Sequence, residues 1–166
     1  MKRREMLVGL AGLALGTSLP SLARQGATPM RLDKPREAWA ALLPAPAYAV
    51  LFEEATERAG SSPLNEEKRA GTFVCAACYL PLFSSKAKYD SGTGWPSFYQ
   101  SLPEAVATKT DWKLILPRTE YHCARCGGHQ GHVFDDGPPP TGKRYCNNGL
   151  ALRFVPEAEA LPELRS

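Results

Sequence analysis

The sequence predicts a mainly β domain, built of antiparallel sheets, behind a short helical lead. Three observations carry that expectation. After Gly60, glycine, proline, serine and aspartate cut the chain into short apolar or alternating runs, as strands joined by turns require. Apolar residues at helical spacing come ahead of that point. Two Cys-x-x-Cys pairs, 44 residues apart, give distant parts of the chain a common anchor. At 166 residues, 43% hydrophobic and 22% charged, the chain suits one domain with a substantial core and is not of disordered composition.

The elements follow in order. Lys2, Arg3 and Arg4 precede an uninterrupted apolar run, Met6 to Leu15, and then Ser18, Pro20, Ser21, Leu22 and Ala23. Basic, apolar, then small is the order of a secretory signal, here over residues 1–23. The apolar run falls short of the roughly 20 residues a membrane-spanning helix needs. The pair Arg3-Arg4 resembles a twin-arginine signal, which predicts export, to the bacterial periplasm, of an already folded chain. Residues 24–35, with Gln25, Gly26, Thr28 and Pro29, read as a linker. Residues 36–43 place Trp39, Leu42 and Leu43 on one helical face, with Pro44 and Pro46 as the stop. Tyr48, Leu51, Phe52 and Ala55 give a second helical stretch.

Strands are expected at Thr72-Phe73-Val74, residues 112–116, Tyr121-His122-Cys123, His132-Val133-Phe134 and residues 150–155. In the last, Leu150, Leu152 and Phe154 alternate with Ala151 and Arg153. Trp39 and Trp112 are assigned to the core. The domain proper spans residues 36–158, with a tail over 159–166.

The formal net charge is +3, and Lys2, Arg3 and Arg4 against Glu5 supply most of it. The remaining chain is nearly neutral and offers no electrostatic footprint for a phosphate backbone, so nucleic acid is not an expected partner.

Cys75-Ala76-Ala77-Cys78 and Cys123-Ala124-Arg125-Cys126 are two metal knuckles. Two residues between sulfurs let a tight turn aim both thiolates at one ion, and two such turns complete a tetrahedron. Two disulfides are the other reading in an exported chain, but a doubled knuckle favours one zinc ion. With four protein ligands and no open position, the ion is structural. Cys146 is left over, in Arg144-Tyr145-Cys146-Asn147-Asn148. It is an intermolecular linker, a small buried hydrophobe or a reactive thiol. On a strand, Arg144 and Asn148 would share its face, and the arginine would favour the thiolate.

Three further motifs follow in order: Gly92-Thr93-Gly94-Trp95-Pro96-Ser97-Phe98, Gly131-His132-Val133-Phe134-Asp135-Asp136-Gly137, and the segment around Cys146. Together with both knuckles they resemble the B-type peptide-methionine (R)-S-oxide reductases, from about Trp39 to Pro156. The resemblance implies a zinc-stapled, β-tent-like fold. It implies thiol-dependent reduction of methionine-R-sulfoxide in peptides and proteins, with Cys146 as nucleophile passing through a sulfenic acid. By the same resemblance His129, His132 and Asn148 bind or protonate the sulfoxide oxygen. Trp95 receives the substrate methyl and sulfur, and Phe134 and Arg144 line the pocket. Cys75, Cys78, Cys123 and Cys126 hold the zinc.

One position departs from part of the family. Where some members carry a second redox cysteine, between the glycines of Gly-x-Gly-Trp-Pro, this chain has Thr93. With the other four cysteines on zinc, the sulfenic acid needs an external reductant, a thioredoxin-like domain or a small thiol. A monomer is expected. Three rivals stand beside this reading: a non-catalytic zinc-stabilised binding module, a Cys-x-x-Cys disulfide oxidoreductase, and a zinc-dependent nucleic-acid binder. The module leaves Cys146 and the histidines unused. The oxidoreductase needs a helix after its motif, where this chain has Tyr79-Leu80-Pro81.

Overall fold

The computed structural model describes residues 31–113 and 116–166. The expected signal over residues 1–23 lies outside the described residues, as does the linker up to residue 30. Residues 31–35 run along the domain. Leu32 donates its backbone N–H to the carbonyl of Arg125, 2.7 Å away, and its side chain packs on the core.

Two short helices lead the fold, α1 (Glu37–Ala40) and α2 (Ala45–Glu53). The first is a single turn. Trp39 is buried as expected, but Leu42 lies beyond the helix and is 43% exposed. Pro46 does not stop a helix; it sits in the first turn of α2, where the missing N–H costs nothing. Ala55 falls past the end of α2, because Glu54 adopts φ 56° and turns the chain. Val50, Leu51 and Phe52 are buried, and Trp39 stacks on Phe52 with ring centroids 5.6 Å apart.

Nine strands follow: β1 (Gly71–Cys75), β2 (Pro81–Ser84), β3 (Lys88–Tyr89), β4 (Ser97–Phe98), β5 (Val106–Asp111), β6 (Arg118–Cys123), β7 (His129–Phe134), β8 (Arg144–Asn147) and β9 (Leu152–Pro156). They form two antiparallel sheets, one of order β2-β1-β9 and one of order β3-β4-β8-β7-β6-β5. This is the mainly β architecture with short leading helices that the sequence predicts.

Aromatic rings join the sheets. Phe83 of β2 stacks on Phe98 of β4 at 4.2 Å, and Phe73 of β1 meets the same ring edge-on at 5.0 Å. Tyr121 and Tyr145 continue the cluster from β6 and β8. Such pairs contribute about 0.5–1.5 kcal/mol each beyond their buried area.

Two expectations are corrected. Residues 112–116 do not form the expected strand: Trp112 and Leu116 are 74% and 76% exposed, so Trp112 is not core, and residues 114 and 115 lie outside the described residues. The alternation beginning at Leu150 fails at its first member. Leu150 sits in a 3-10 turn and is exposed, while Ala151, Leu152 and Val155 are buried.

The sheets also meet at the cysteines. Cys75 ends β1 and Cys123 ends β6, one from each sheet. Both knuckles use one geometry: Tyr79 N–H donates to the carbonyl of Cys75 and Gly127 N–H to that of Cys123, each at 2.9 Å. Residues 79 and 127 both take positive φ, 64° and 73°. Glycine adopts that conformation freely, and Tyr79 is held there beneath the Arg165 guanidinium, 4.3 Å from its ring.

Candidate active site

The face of the six-stranded sheet turned away from the aromatic core carries the chemistry. Register places Tyr89, Ser97, Cys146, His132, Glu120 and Lys109 side by side across six strands. One step along, Arg144 opposes Phe134, and Arg118 opposes Asp111. Period-two alternation thus puts Arg144 on the face of Cys146, as the spacing predicts. Gly131 permits β7 and β8 to pair so closely, since a Cβ there would lie 1.9 Å from the carbonyl oxygen of Cys146.

A cavity of about 190 Å³ opens over this face. Its walls include Cys146, Trp95, His132, Phe134, Arg144 and Asn148. Six of the seven residues expected in the site are therefore brought together around one space. The seventh, His129, is 4% exposed and does not line the cavity; it lies behind His132, ring centroids 5.6 Å apart. Two histidines three apart in a regular strand would face opposite ways. Here the pairing of β6 with β7 skips Gln130, and that bulge turns both rings to one side.

Each wall is held by partners. The Trp95 indole N–H donates to the carbonyl of Glu57 at 3.2 Å. Asn148 accepts the Glu57 backbone N–H at its Oδ1, 3.1 Å away, and donates its Nδ2 and backbone N–H to the carbonyl of Gln130 at 3.1 and 2.8 Å. Glu57 also caps the turn after β8 by accepting the N–H groups of Gly149 and Leu150. Asp136 holds Arg144 through two parallel bonds of 2.7 Å, and that guanidinium lies 4.3 Å from the Phe134 ring. Glu57, Thr56, Asp111, Arg118 and Asp136 were not among the expected site residues. Thr56 lines the cavity, and the others meet partners across strands or from loops, which spacing cannot reveal.

His132 Nε2 lies 2.8 Å from Asp111 Oδ2. A carboxylate can only accept, so Nε2 carries the proton and Nδ1 is the ring nitrogen left for a ligand. Asp111 is held ionised, far below the usual carboxylate range, first by the Lys113 backbone N–H, then by His132 and Arg118. Burial pushes the His132 pKa down, and the Asp111 bond opposes that shift. His129 Nδ1 approaches Glu120 Oε1 at 3.0 Å but off the line a hydrogen bond needs.

Burial pushes the Cys146 thiol up, against Thr93, whose Oγ1 is 4.0 Å from Sγ, and against the Arg144 charge. Removing that charge should raise it further. Arg144→Leu is expected to slow alkylation of Cys146 by iodoacetamide at pH 8 about fivefold and to move the rate's midpoint to higher pH. An unchanged pH profile would remove Arg144 from the electrostatics of the thiol.

The four remaining cysteines converge as expected. Their sulfurs all lie within 4.8 Å of one another, with Cys75 to Cys126 and Cys78 to Cys123 at 3.6 Å. A disulfide needs about 2.05 Å. A tetrahedron of Zn–S bonds of about 2.3 Å has edges of roughly 3.8 Å, which these separations fit. Their mutual contacts, led by Cys123, drive Cys75 and Cys126 up and Cys78 down, so only a cation lets all four ionise together. The set is a closed, structural zinc site.

The chain matches the SelR domain over residues 43–156. It is 49% identical over 127 residues to the peptide methionine sulfoxide reductase MsrB of Pseudomonas putida (strain W619), covering 76% of this chain and 96% of that protein. The protein of that name from Thiobacillus denitrificans (strain ATCC 25259 / T1) is 50% identical over 131 residues, 77% of this chain and 99% of its own length. The one from Methanosarcina barkeri (strain Fusaro / DSM 804) is 47% identical over 129 residues, 77% and 91% of the two chains.

Proposed function

The chain belongs to the SelR-domain family of MsrB peptide methionine sulfoxide reductases, and from that premise we propose how this site performs the reaction. The protein reduces methionine-R-sulfoxide in proteins to methionine. The observation that carries the assignment of roles is the shared cavity of Cys146, His132, Asn148 and Trp95. Cys146, as a thiolate, attacks the sulfoxide sulfur. The oxygen takes a proton and passes from the substrate sulfur to Cys146 Sγ: the substrate S–O bond and the transient Sγ–S bond break, an Sγ–O bond forms, and methionine leaves with two electrons gained. Cys146 loses the same two electrons and becomes a sulfenic acid.

Protonated at Nδ1, His132 is the acid, with its ring fixed by Asp111. Asn148 orients the oxygen. Trp95 presents a ring face to the soft sulfur and its methyl group. His129 supports His132 from behind rather than touching substrate. Zinc supplies no step; it holds the strands from which these side chains project. A non-catalytic zinc module would have no use for this cavity or for the thiol in its wall.

Resolution of the sulfenic acid falls to an external thiol. Among the described residues Thr93 is the hydroxyl facing Cys146, and the other cysteines form the zinc cluster. A thiol attacks the sulfenic sulfur, releasing water and leaving a mixed disulfide, which a second thiol reduces. Export to the periplasm by the basic and apolar order of residues 1–23 would make that reductant a thioredoxin-like domain outside the cytoplasm. The protein acts as a monomer.

The test is turnover of a methionine sulfoxide peptide resolved into its epimers, with dithiothreitol as reductant. Consumption of the R epimer alone is expected. In a single turnover without reductant, dimedone should trap one sulfenic acid at Cys146, with zinc retained and no intramolecular disulfide. An intramolecular disulfide would overturn the external-reductant step, and turnover of neither epimer would overturn the reaction itself.

A further inference from the structure

Gln130 touches both the zinc cluster, at Cys75, and the catalytic wall, at Asn148. It is the extra residue of the β7 bulge, left without a partner in the pairing of β6 with β7. Its side chain is completely buried, an expensive place for an amide. The Gln130 Nε2 lies 3.5 Å from Cys75 Sγ, and its Oε1 has no partner. A thiolate can only accept, so the amide N–H must point at the sulfur. The bulge also turns the Gln130 carbonyl outward, where Asn148 donates to it twice.

We propose that Gln130 is a positioning residue. The hydrogen bond that its amide N–H donates to the zinc ligand Cys75 fixes the bulge, and the bulge places Asn148, His129 and His132. The proposal rests on the function given above for Asn148 and the histidines. The physical reasoning is local. A bulge is a conformational choice, and without a tether the extra residue can slide to either neighbouring register. A hydrogen bond to a charged acceptor in a dry interior is among the stronger ones, so it can decide that choice. It acts on the metal as well, because an N–H donated to a coordinated thiolate stabilises the charge that holds the ion.

Gln130→Leu keeps most of the volume and removes the donor together with the unpartnered oxygen. Two quantities should move together. Zinc release to a chromogenic chelator, measured without substrate, is expected to accelerate about tenfold or more, the loss of one hydrogen bond to a charged group. For a methionine-R-sulfoxide peptide, kcat/KM should fall at least about fivefold, with KM raised by the displaced Asn148 and kcat lowered by the displaced acid His132. Gln130→Met, unbranched and close in volume, gives the same readouts if the leucine variant does not fold. Wild-type zinc release, or a wild-type kcat/KM, in the folded variant would overturn the proposal. Turnover of the R epimer by the wild-type protein is the control on the enzymatic reading, whereas zinc release is read without turnover, so the two failures are told apart.

Discussion

Cys146→Ser protein keeps its zinc and its fold and loses more than about 10⁴-fold of its turnover, a loss of the size seen when a catalytic nucleophile is removed. Serine is nearly the same size as cysteine, and Cys146 belongs neither to the metal cluster nor to the aromatic core. Replacement therefore leaves no cavity and no unpaired ligand. The hydroxyl, however, stays protonated at any pH at which the protein is folded, and it cannot accept and release an oxygen as sulfur does. Zinc content by metal analysis, near-ultraviolet circular dichroism and turnover of the R epimer together make the check. A serine variant with substantial activity would move the reaction to another residue.

Cys75→Ser has the opposite signature: metal is lost and the whole domain goes with it. Structural zinc binding contributes about 10–16 kcal/mol of apparent free energy in small zinc-dependent folds. A domain's net stability is about 5–15 kcal/mol, so the zinc contribution decides whether the chain folds. Here the consequence is wider than one knuckle, because Cys75 and Cys123 end strands of different sheets. Without the ion, the buried thiols of Cys78 and Cys123, the half-buried thiol of Cys126 and a hydroxyl face one another across the seam of the two sheets. Metal analysis should find less than about a tenth of an equivalent of zinc, with no cooperative thermal transition. A zinc-free variant that unfolds cooperatively and turns over would show that the sheets hold together without the staple.

Much of the site was legible because its residues lie in compact motifs. The knuckles, Trp95, His132, Phe134, Arg144, Cys146 and Asn148 come from five short stretches, and the structure adds the distances. What escaped has physical reasons. β5 (Val106–Asp111) pairs with β6 alone, and four of its residues in a row are exposed, so it shows neither alternation nor an apolar run. Residues 112–116 carry an apolar run that the fold leaves largely in solvent at Trp112 and Leu116. Asp111 earns its place from His132, 21 residues on, and Glu57 from Asn148, 91 residues on. Gln130 escaped because a bulge reverses the faces that alternation assigns. Had β7 been regular, His129 would have pointed into the core and Gln130 toward the cavity.

The zinc staple also divides the chain mechanically. Cys75 and Cys126, bound to one ion, close residues 75–126 into a ring, and everything after residue 126 hangs outside it. Strand β4, with Ser97, lies inside the ring, while β8, with Cys146, lies outside, and the two meet through their register alone. A pulling force on the ends of the domain loads the β1–β9 seam first, because β9 carries the C-terminal end and pairs with β1 just ahead of the ring. Once that seam parts, the load passes to the strands that follow the ring, and the β4–β8 hydrogen bonds beside Cys146 give way while the metal spares the loop it closes from stretching.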